Sequence, residues 1–231
     1  SSDLTVIRSQ FEINYLTKFN NFNKNNFINL SLAYKTQNNI SSFSETNGII
    51  FVGNFMHQPN VDALNYFFDE ICKNFSENFA KEKIFIVGKN GKKIFATKVK
   101  GLKNIIFYDF IDDIGAFLSK CRINIAPLRY GAGIKGKIAQ AMTLGIPTIS
   151  TPIGFEGMNL KSKESFMTDD PKLFAELVEL LYYDEREWNK VKELQYSYSK
   201  IWSKETNYKL LGSTLNKFVE IPNKSFTTWL L

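Results

Sequence analysis

The chain has 231 residues, 44% of them hydrophobic, enough for one large α/β domain or a domain with appendages, and unlike a disordered chain. Its formal charge of +6 suits an anionic ligand, a nucleic acid or an acidic membrane face and does not choose among them. With one histidine, His57, and two well-separated cysteines, Cys72 and Cys121, a multi-histidine metal site is excluded and a zinc site is not expected.

No run of eighteen apolar residues occurs, so nothing reads as a bilayer span. The start, Ser1-Ser2-Asp3-Leu4, has no basic segment, apolar signal core or initiator Met. It reads as a processed or truncated chain without a secretion signal. The cysteines read as reduced core thiols, and a cytoplasmic setting is the expectation that follows.

In chain order, residues 3–19 read as a strand tip and then a helix, with Phe11, Leu16 and Phe19 at helical spacing. The Asn-, Ser- and Thr-rich stretch 20–47 reads as a linker, interrupted by the apolar Phe27-Ile28-Asn29-Leu30. From Gly48 onward short apolar runs alternate with amphipathic ones. Strands are expected at Ile49–Gly53, Lys83–Gly88, Ile105–Tyr108, Ile123–Pro127 and Thr148–Thr151, with a last one at Ser165-Phe166-Met167. Helices are expected at 60–79 (Val61, Leu64, Phe67, Phe68 and Ile71 on one face), at 113–120 and at 134–144. Gly145 and Pro147 should stop the last of these, and two or three more helices should fill 171–218. Continuous apolar strands alternating with helices imply a Rossmann-like, doubly wound parallel sheet, with ligands bound beyond the carboxyl ends of its strands.

The loop after Ile123–Pro127 carries the strongest chemical signal: Ala126-Pro127-Leu128-Arg129-Tyr130-Gly131-Ala132-Gly133-Ile134-Lys135-Gly136-Lys137. Gly131 and Gly133 allow a tight turn and close backbone approach, the following helix offers its N-terminus, and Arg129, Lys135 and Lys137 add cations. Together these parts form a candidate diphosphate cradle. The pattern is neither a Walker loop nor a dinucleotide fingerprint.

This loop, the upstream run Gly53-Asn54-Phe55-Met56-His57-Gln58-Pro59-Asn60-Val61-Asp62-Ala63 and the run from Gly145 to Gly157 resemble the C-terminal half of the group 1, retaining, two-Rossmann-domain (GT-B) glycosyltransferases. The resemblance covers about 45–200 well and 1–44 loosely. It implies donor binding here and acceptor binding in a missing N-terminal domain. The expected division is 1–47 as the end of the acceptor-side domain and linker, 48–200 as the nucleotide-sugar-binding domain, and 201–231 as a C-terminal helix and tail packing back toward the N-terminal side.

The resemblance further implies that Tyr108, Asp109 and Phe110 line the base pocket, that Gly131, Ala132, Gly133, Ile134, Lys135 and Lys137 hold the diphosphate, and that Gly53 and Asn54 face the interdomain cleft. Glu156 falls near the donor sugar. His57 and Lys135 are the candidate catalytic residues, and Arg129 joins Lys135 in neutralising the departing diphosphate. No cofactor or metal is expected beyond a UDP- or GDP-type sugar as substrate. The adjacent pairs Asp112-Asp113 and Asp169-Asp170 read as helix caps. The family pattern of Glu, seven residues, then Glu projects onto Ala132 and Gln140. Gln140 keeps hydrogen-bonding capacity toward ribose but loses the charge-assisted component.

The implied function is hexosyl transfer from a nucleotide sugar to an unknown acceptor in glycan or polysaccharide biosynthesis. A non-catalytic GT-B-like recognition module is the second reading, kept alive by Gln140, and an epimerase of the same fold fits the loop less well. The aromatics of 182–202, among them Tyr182, Tyr183, Trp188 and Trp202, read as packing groups more than as a sugar platform. Peripheral contact with an acidic inner leaflet is left open, and no nucleic-acid motif is present.

Overall fold

The structure, a computed structural model, describes residues 4–8, 10–19, 23–30, 32–34, 40–158, 160 and 166–219. Sequence readings that fall on Ser1 to Asp3, Ser9, residues 20–22, Ser165 and residues 220–231, and on the side chains of Phe11 and Phe19, lie outside the described residues. In chain order the elements are β1 (Thr5–Ile7), α1 (Gln10–Phe19), β2 (Phe27–Asn29), β3 (Ile49–Val52), α2 (Gln58–Tyr66), β4 (Ile84–Val87), α3 (Gly91–Phe95), β5 (Ile105–Tyr108), α4 (Ile114–Leu118), β6 (Ile123–Ala126), α5 (Gly136–Thr143), β7 (Thr148–Ser150), α6 (Pro171–Tyr183), α7 (Glu185–Ser199) and α8 (Lys204–Val219). They fall into two compact units, residues 36–200 and residues 1–35 with 201–231.

The larger unit is built on one parallel sheet in the order β5-β4-β3-β6-β7. Ile49 and Ile50 of β3 and all four residues of β6 are buried, because helices cover both faces. That double burial is why these strands read as unbroken apolar runs. Strand order reverses between β3 and β6, and such a reversal opens a crevice at the carboxyl ends of the two strands.

The β7 edge is closed by side-chain chemistry. The Gln195 amide accepts from the Thr148 N–H at 2.7 Å and donates to the Thr148 carbonyl at 2.7 Å, standing in for an absent neighbouring strand. The expected last strand shrinks to a bridge, with Ser150 exchanging backbone bonds with Phe166 and Thr168. Asp113 and Asp170 cap α4 and α6 through the N–H groups of Ala116 and Leu173, as the paired aspartates imply. Trp188 is fully buried and donates its indole N–H to the Arg122 carbonyl at 2.7 Å. With Tyr182 also buried, these rings serve packing and not sugar stacking.

The single helix expected at 60–79 is instead α2, then a π turn at Phe67–Ile71, then 3-10 turns at Cys72–Asn74 and Phe79–Lys81. Steps of four residues drift by about 40° around an α-helix, so Phe67, Ile71, Phe75 and Phe79 would rotate off one face. The widened turn and the break let Phe67, Ile71 and Phe79 all reach zero exposure. Helix α5 begins two residues later than expected, with Lys135 as its extended N-cap, and ends at Leu144 before Gly145.

In the smaller unit β1 and β2 pair in parallel, Val6 opposite Ile28. The apolar break read inside a linker is therefore a strand. The start of α8 returns to 32–34, where Lys204 N–H donates to the Tyr34 carbonyl and Asn207 Nδ2 to the Leu32 carbonyl. Residues 40–47, read as linker, belong to the larger unit. Among the described residues no helix is long and apolar enough to cross a membrane.

Both cysteines are free, and burial pushes each thiol up to about 12. The native protein should react with a thiol reagent at neutral pH at least about tenfold more slowly than the denatured chain, as a stopped colorimetric assay with and without denaturant will show. The raised pKa values also fix a sign. Between the ordinary thiol value of 9.0 and about 12 the unfolded chain loses these protons first, so their contribution to stability falls as pH rises through that window.

Candidate functional site

Two loops bound the crevice between β3 and β6. The first begins at Gly53, whose N–H bonds the Val87 carbonyl at 3.0 Å. Asparagines wind it into α2: Asn54 Oδ1 accepts from the Met56 N–H at 3.0 Å, and Asn60 Nδ2 donates to the Asn54 carbonyl at 2.8 Å. His57 is exposed at the N-cap of α2 and makes no side-chain capping bond.

The second loop leaves β6 through Pro127 and Leu128, and the end of β7 anchors it. Ser150 Oγ donates to the Ala126 carbonyl at 2.5 Å, and Thr151 Oγ1 donates to that of Leu128. Gly131 and Gly133 take φ of +124° and +77°, values that side-chain-bearing residues adopt only with strain.

Lys135 folds back onto this loop. Its Nζ lies 3.0 Å from the Gly131 carbonyl, 2.7 Å from the Gly133 carbonyl and 3.7 Å from Glu156 Oε2. Its side chain is only 14% exposed. Burial lowers its pKa, and the Glu156 carboxylate opposes the shift. An ammonium has three protons, and here three acceptors surround it. Lys137, two residues on and exposed, donates to Gln140 Oε1 at 3.2 Å.

The two loops enclose a pocket of about 280 Å³ at the place where the strand order reverses. Gly53, Asn54, Lys135, Gly136 and Lys137 line it, with Phe51 and Ile125 as its floor. Asn60, the end of the loop expected to face the cleft, and Asn124 also line it, and Asn124 did not stand out in the sequence as a site residue. The signal for Asn124 was available, as one amide inside the apolar run Ile123-Asn124-Ile125. It is 2% exposed and donates to Thr148 Oγ1 at 3.1 Å.

Other sequence candidates lie elsewhere. Arg129 grips Asp62 of α2 with both Nε, at 2.9 Å from Oδ2, and Nη2, and its guanidinium sits 5.1 Å over the Tyr66 ring. It does not line the pocket. Tyr108 ends β5, and Asp109 and Phe110 follow it on the exposed rim, Phe110 at 75% exposure. Asp109 Oδ1 accepts from the Asn90 N–H at 3.1 Å, while Asn90 Nδ2 approaches Met56 Sδ at 3.8 Å. The loops after β3, β4 and β5 therefore meet through Asn90, held at φ +68°. The Asn90-Gly91 dipeptide was its overlooked sequence signal. Ala132 is exposed, Ile134 and Gln140 are half-buried, and neither these three nor Gly131 and Gly133 line the pocket. Glu156 follows β7 and borders a second hollow of about 570 Å³. Among the described residues no group of three or more His, Cys, Asp or Glu side chains could hold a metal ion.

A parallel sheet in this order, with a glycine loop and helix N-terminus at its reversal point, is the architecture of a GT-B glycosyltransferase domain. A TarM variant of S. aureus, solved with Fondaparinux, alpha-GlcNAc-glycerol and UDP, matches with TM-score 0.72 and 14% identity over 93% of this chain and 44% of its own. HepE of Anabaena, solved with UDP and glucose, matches at 0.70 and 12% over 94% and 64%. The pneumococcal O-GlcNAc transferase GtfA, solved with UDP and GlcNAc, matches at 0.70 and 10% over 94% and 46%. This chain thus spans roughly half the length of these neighbours. No curated protein sequence matches it. The family model for glycosyl transferases group 1 matches residues 46–184, and the chain belongs to that family.

Proposed function

We propose that residues 36–200 bind a nucleoside diphosphate sugar of the UDP or GDP type and present it for retaining transfer of a hexosyl group to an acceptor in glycan assembly. The pocket at the β3/β6 reversal carries this reading, because it combines two lysines, Lys135 and Lys137, with the N-terminus of α5 in one concave site. That three structural neighbours were solved with UDP favours UDP. In the same reading acceptor binding falls to a further domain on the N-terminal side, and no metal or cofactor is needed.

In this reading the side chains divide the work. Lys135 braces the loop: with its protons directed at the Gly131 and Gly133 carbonyls and Glu156, it turns those carbonyls inward. Each trans peptide then directs the next N–H, of Ala132 and Ile134, away from the ammonium. Lys137 and the N-terminus of α5 supply the positive charge against the departing diphosphate. Arg129 acts through Asp62, fixing the loop to α2. His57, exposed at the cleft loop, faces the transferring sugar, and Phe110 with Asp109 borders the base.

Calorimetric titration with UDP separates the two lysines. Lys137→Ala should weaken binding about tenfold, the worth of one charge-assisted contact, and lower the salt dependence. Lys135→Met should weaken it comparably while also lowering the unfolding temperature, since two loop carbonyls lose their donor. Unchanged UDP affinity in both variants would contradict the assignment.

A further inference from the structure

Residues 89–103 carry six lysines, Lys89, Lys92, Lys93, Lys98, Lys100 and Lys103, and no acidic residue. That excess equals the whole formal charge of the chain, +6. The stretch begins in the loop after β4, passes through α3 and winds through further turns to β5. Phe95 N-terminal to Val99 by one turn faces inward, Phe95 at 1% exposure against the rings of Phe55 and Phe68 at 5.5 and 5.9 Å. Backbone bonds from Val99 to Phe95 and from Leu102 to Val99 keep the segment wound.

The other side chains face out. All six lysines are exposed, and only Lys98 is paired, with Asp69 at 2.6 Å. Between them stand two large aliphatic groups, Ile94 at 44% and Leu102 at 51% exposure. Solvent-exposed apolar groups among unneutralised lysines fit neither a core nor an ordinary polar face.

We infer that this surface docks onto an anionic lipid surface. Lysine ammonium groups on flexible stems suit a diffuse layer of negative headgroups and can lie along apolar surface with the charge in water. Ile94 and Leu102 are placed to enter the headgroup boundary between them. A nucleic acid is the poorer match, because the segment has no arginine for bidentate phosphate contacts and no exposed aromatic for base stacking. The surface is separate from the pocket, and the inference stands independently of the nucleotide-sugar reading.

Vesicle flotation of the full chain tests it, with phosphatidylcholine vesicles that contain or lack about one-third phosphatidylserine. The protein should float with the anionic vesicles only, and added salt should release it. Joint replacement of Lys92, Lys93, Lys100 and Lys103 by Gln should weaken binding about a hundredfold. Ile94→Ser with Leu102→Ser should weaken it about tenfold. These side chains are exposed, so thermal unfolding and UDP affinity should match the unaltered protein, which separates this test from that of the donor site. Absence of binding to anionic vesicles, equal binding to neutral ones, or unchanged binding by the four-Gln variant would overturn the inference. So would tighter binding to duplex DNA lost in that same variant.

Discussion

Arg122→Ala should destabilise the larger unit by about 3 kcal/mol, the sum expected from lost charge-assisted bonds and a lost ring contact. The guanidinium makes three bonds of 2.7 Å, from Nε to Thr46 Oγ1, from Nη2 to the Thr46 carbonyl and from Nη1 to the Tyr182 carbonyl. It also lies 3.4 Å over the Phe43 ring. Burial lowers its pKa, and the Tyr182, Glu185 and Glu82 side chains oppose that shift. Deleting it leaves two carbonyls short of a donor and removes what holds 43–46 against the sheet. Arg122→Lys should recover only part of the loss, because one ammonium cannot reproduce the planar fork. Denaturant unfolding will give the difference, and limited proteolysis should show new cleavage near residues 40–47. A loss below about 1 kcal/mol would mean that the contacts are those of a solvated surface pair.

Gly88→Ala should be similarly severe, at about 3 kcal/mol, and should damage ligand binding as well. Gly88 has φ +155°, and a Cβ there would lie 1.8 Å from the Gly53 carbonyl oxygen and 2.9 Å from the Phe55 ring. Neither backbone nor packed ring can yield cheaply. The loop after β3 must move, and that loop forms one wall of the pocket. Gly133→Ala is the control. Nothing lies within 4 Å of its added Cβ, and only the φ of +77° resists, a strain of about 1 kcal/mol. Thermal unfolding and UDP titration of both variants should show a large loss of stability together with a loss of affinity at Gly88, and only a small loss of stability at Gly133. Equal, small effects at both would contradict the close approach of the β3 and β4 loops.

The sheet was legible because strands buried on both faces leave a periodic trace that composition cannot hide. Ile49 to Val52, Ile84 to Val87 and Ile123 to Ala126 stand within one residue of their expected bounds. The helix of 60–79 misled because an i, i+4 row of large side chains looks helical whether or not the turn widens. The short β2 was hidden in an Asn-rich stretch, since three residues carry too little period to separate strand from loop.

At the site, the glycine loop and Lys135 could be found from sequence, but which way an ammonium points could not. The contact of Lys135 with its own loop and of Arg129 with Asp62 depends on long-range packing between loops and helices. Asn60 and Asn124 were readable as polar residues beside apolar neighbours, although only the fold brings them to one pocket.

Donor binding at the β3/β6 reversal can be read from a metal-free thermal-shift screen of the full chain with UDP, GDP, ADP, CMP and their sugar conjugates. A nucleotide at about one hundred times its dissociation constant adds roughly 2.7 kcal/mol, a rise of several degrees for a protein of this size. Such a rise is expected with UDP or its sugar conjugate, diminished in Lys137→Ala. A cooperative unfolding transition that no nucleotide moves would contradict it.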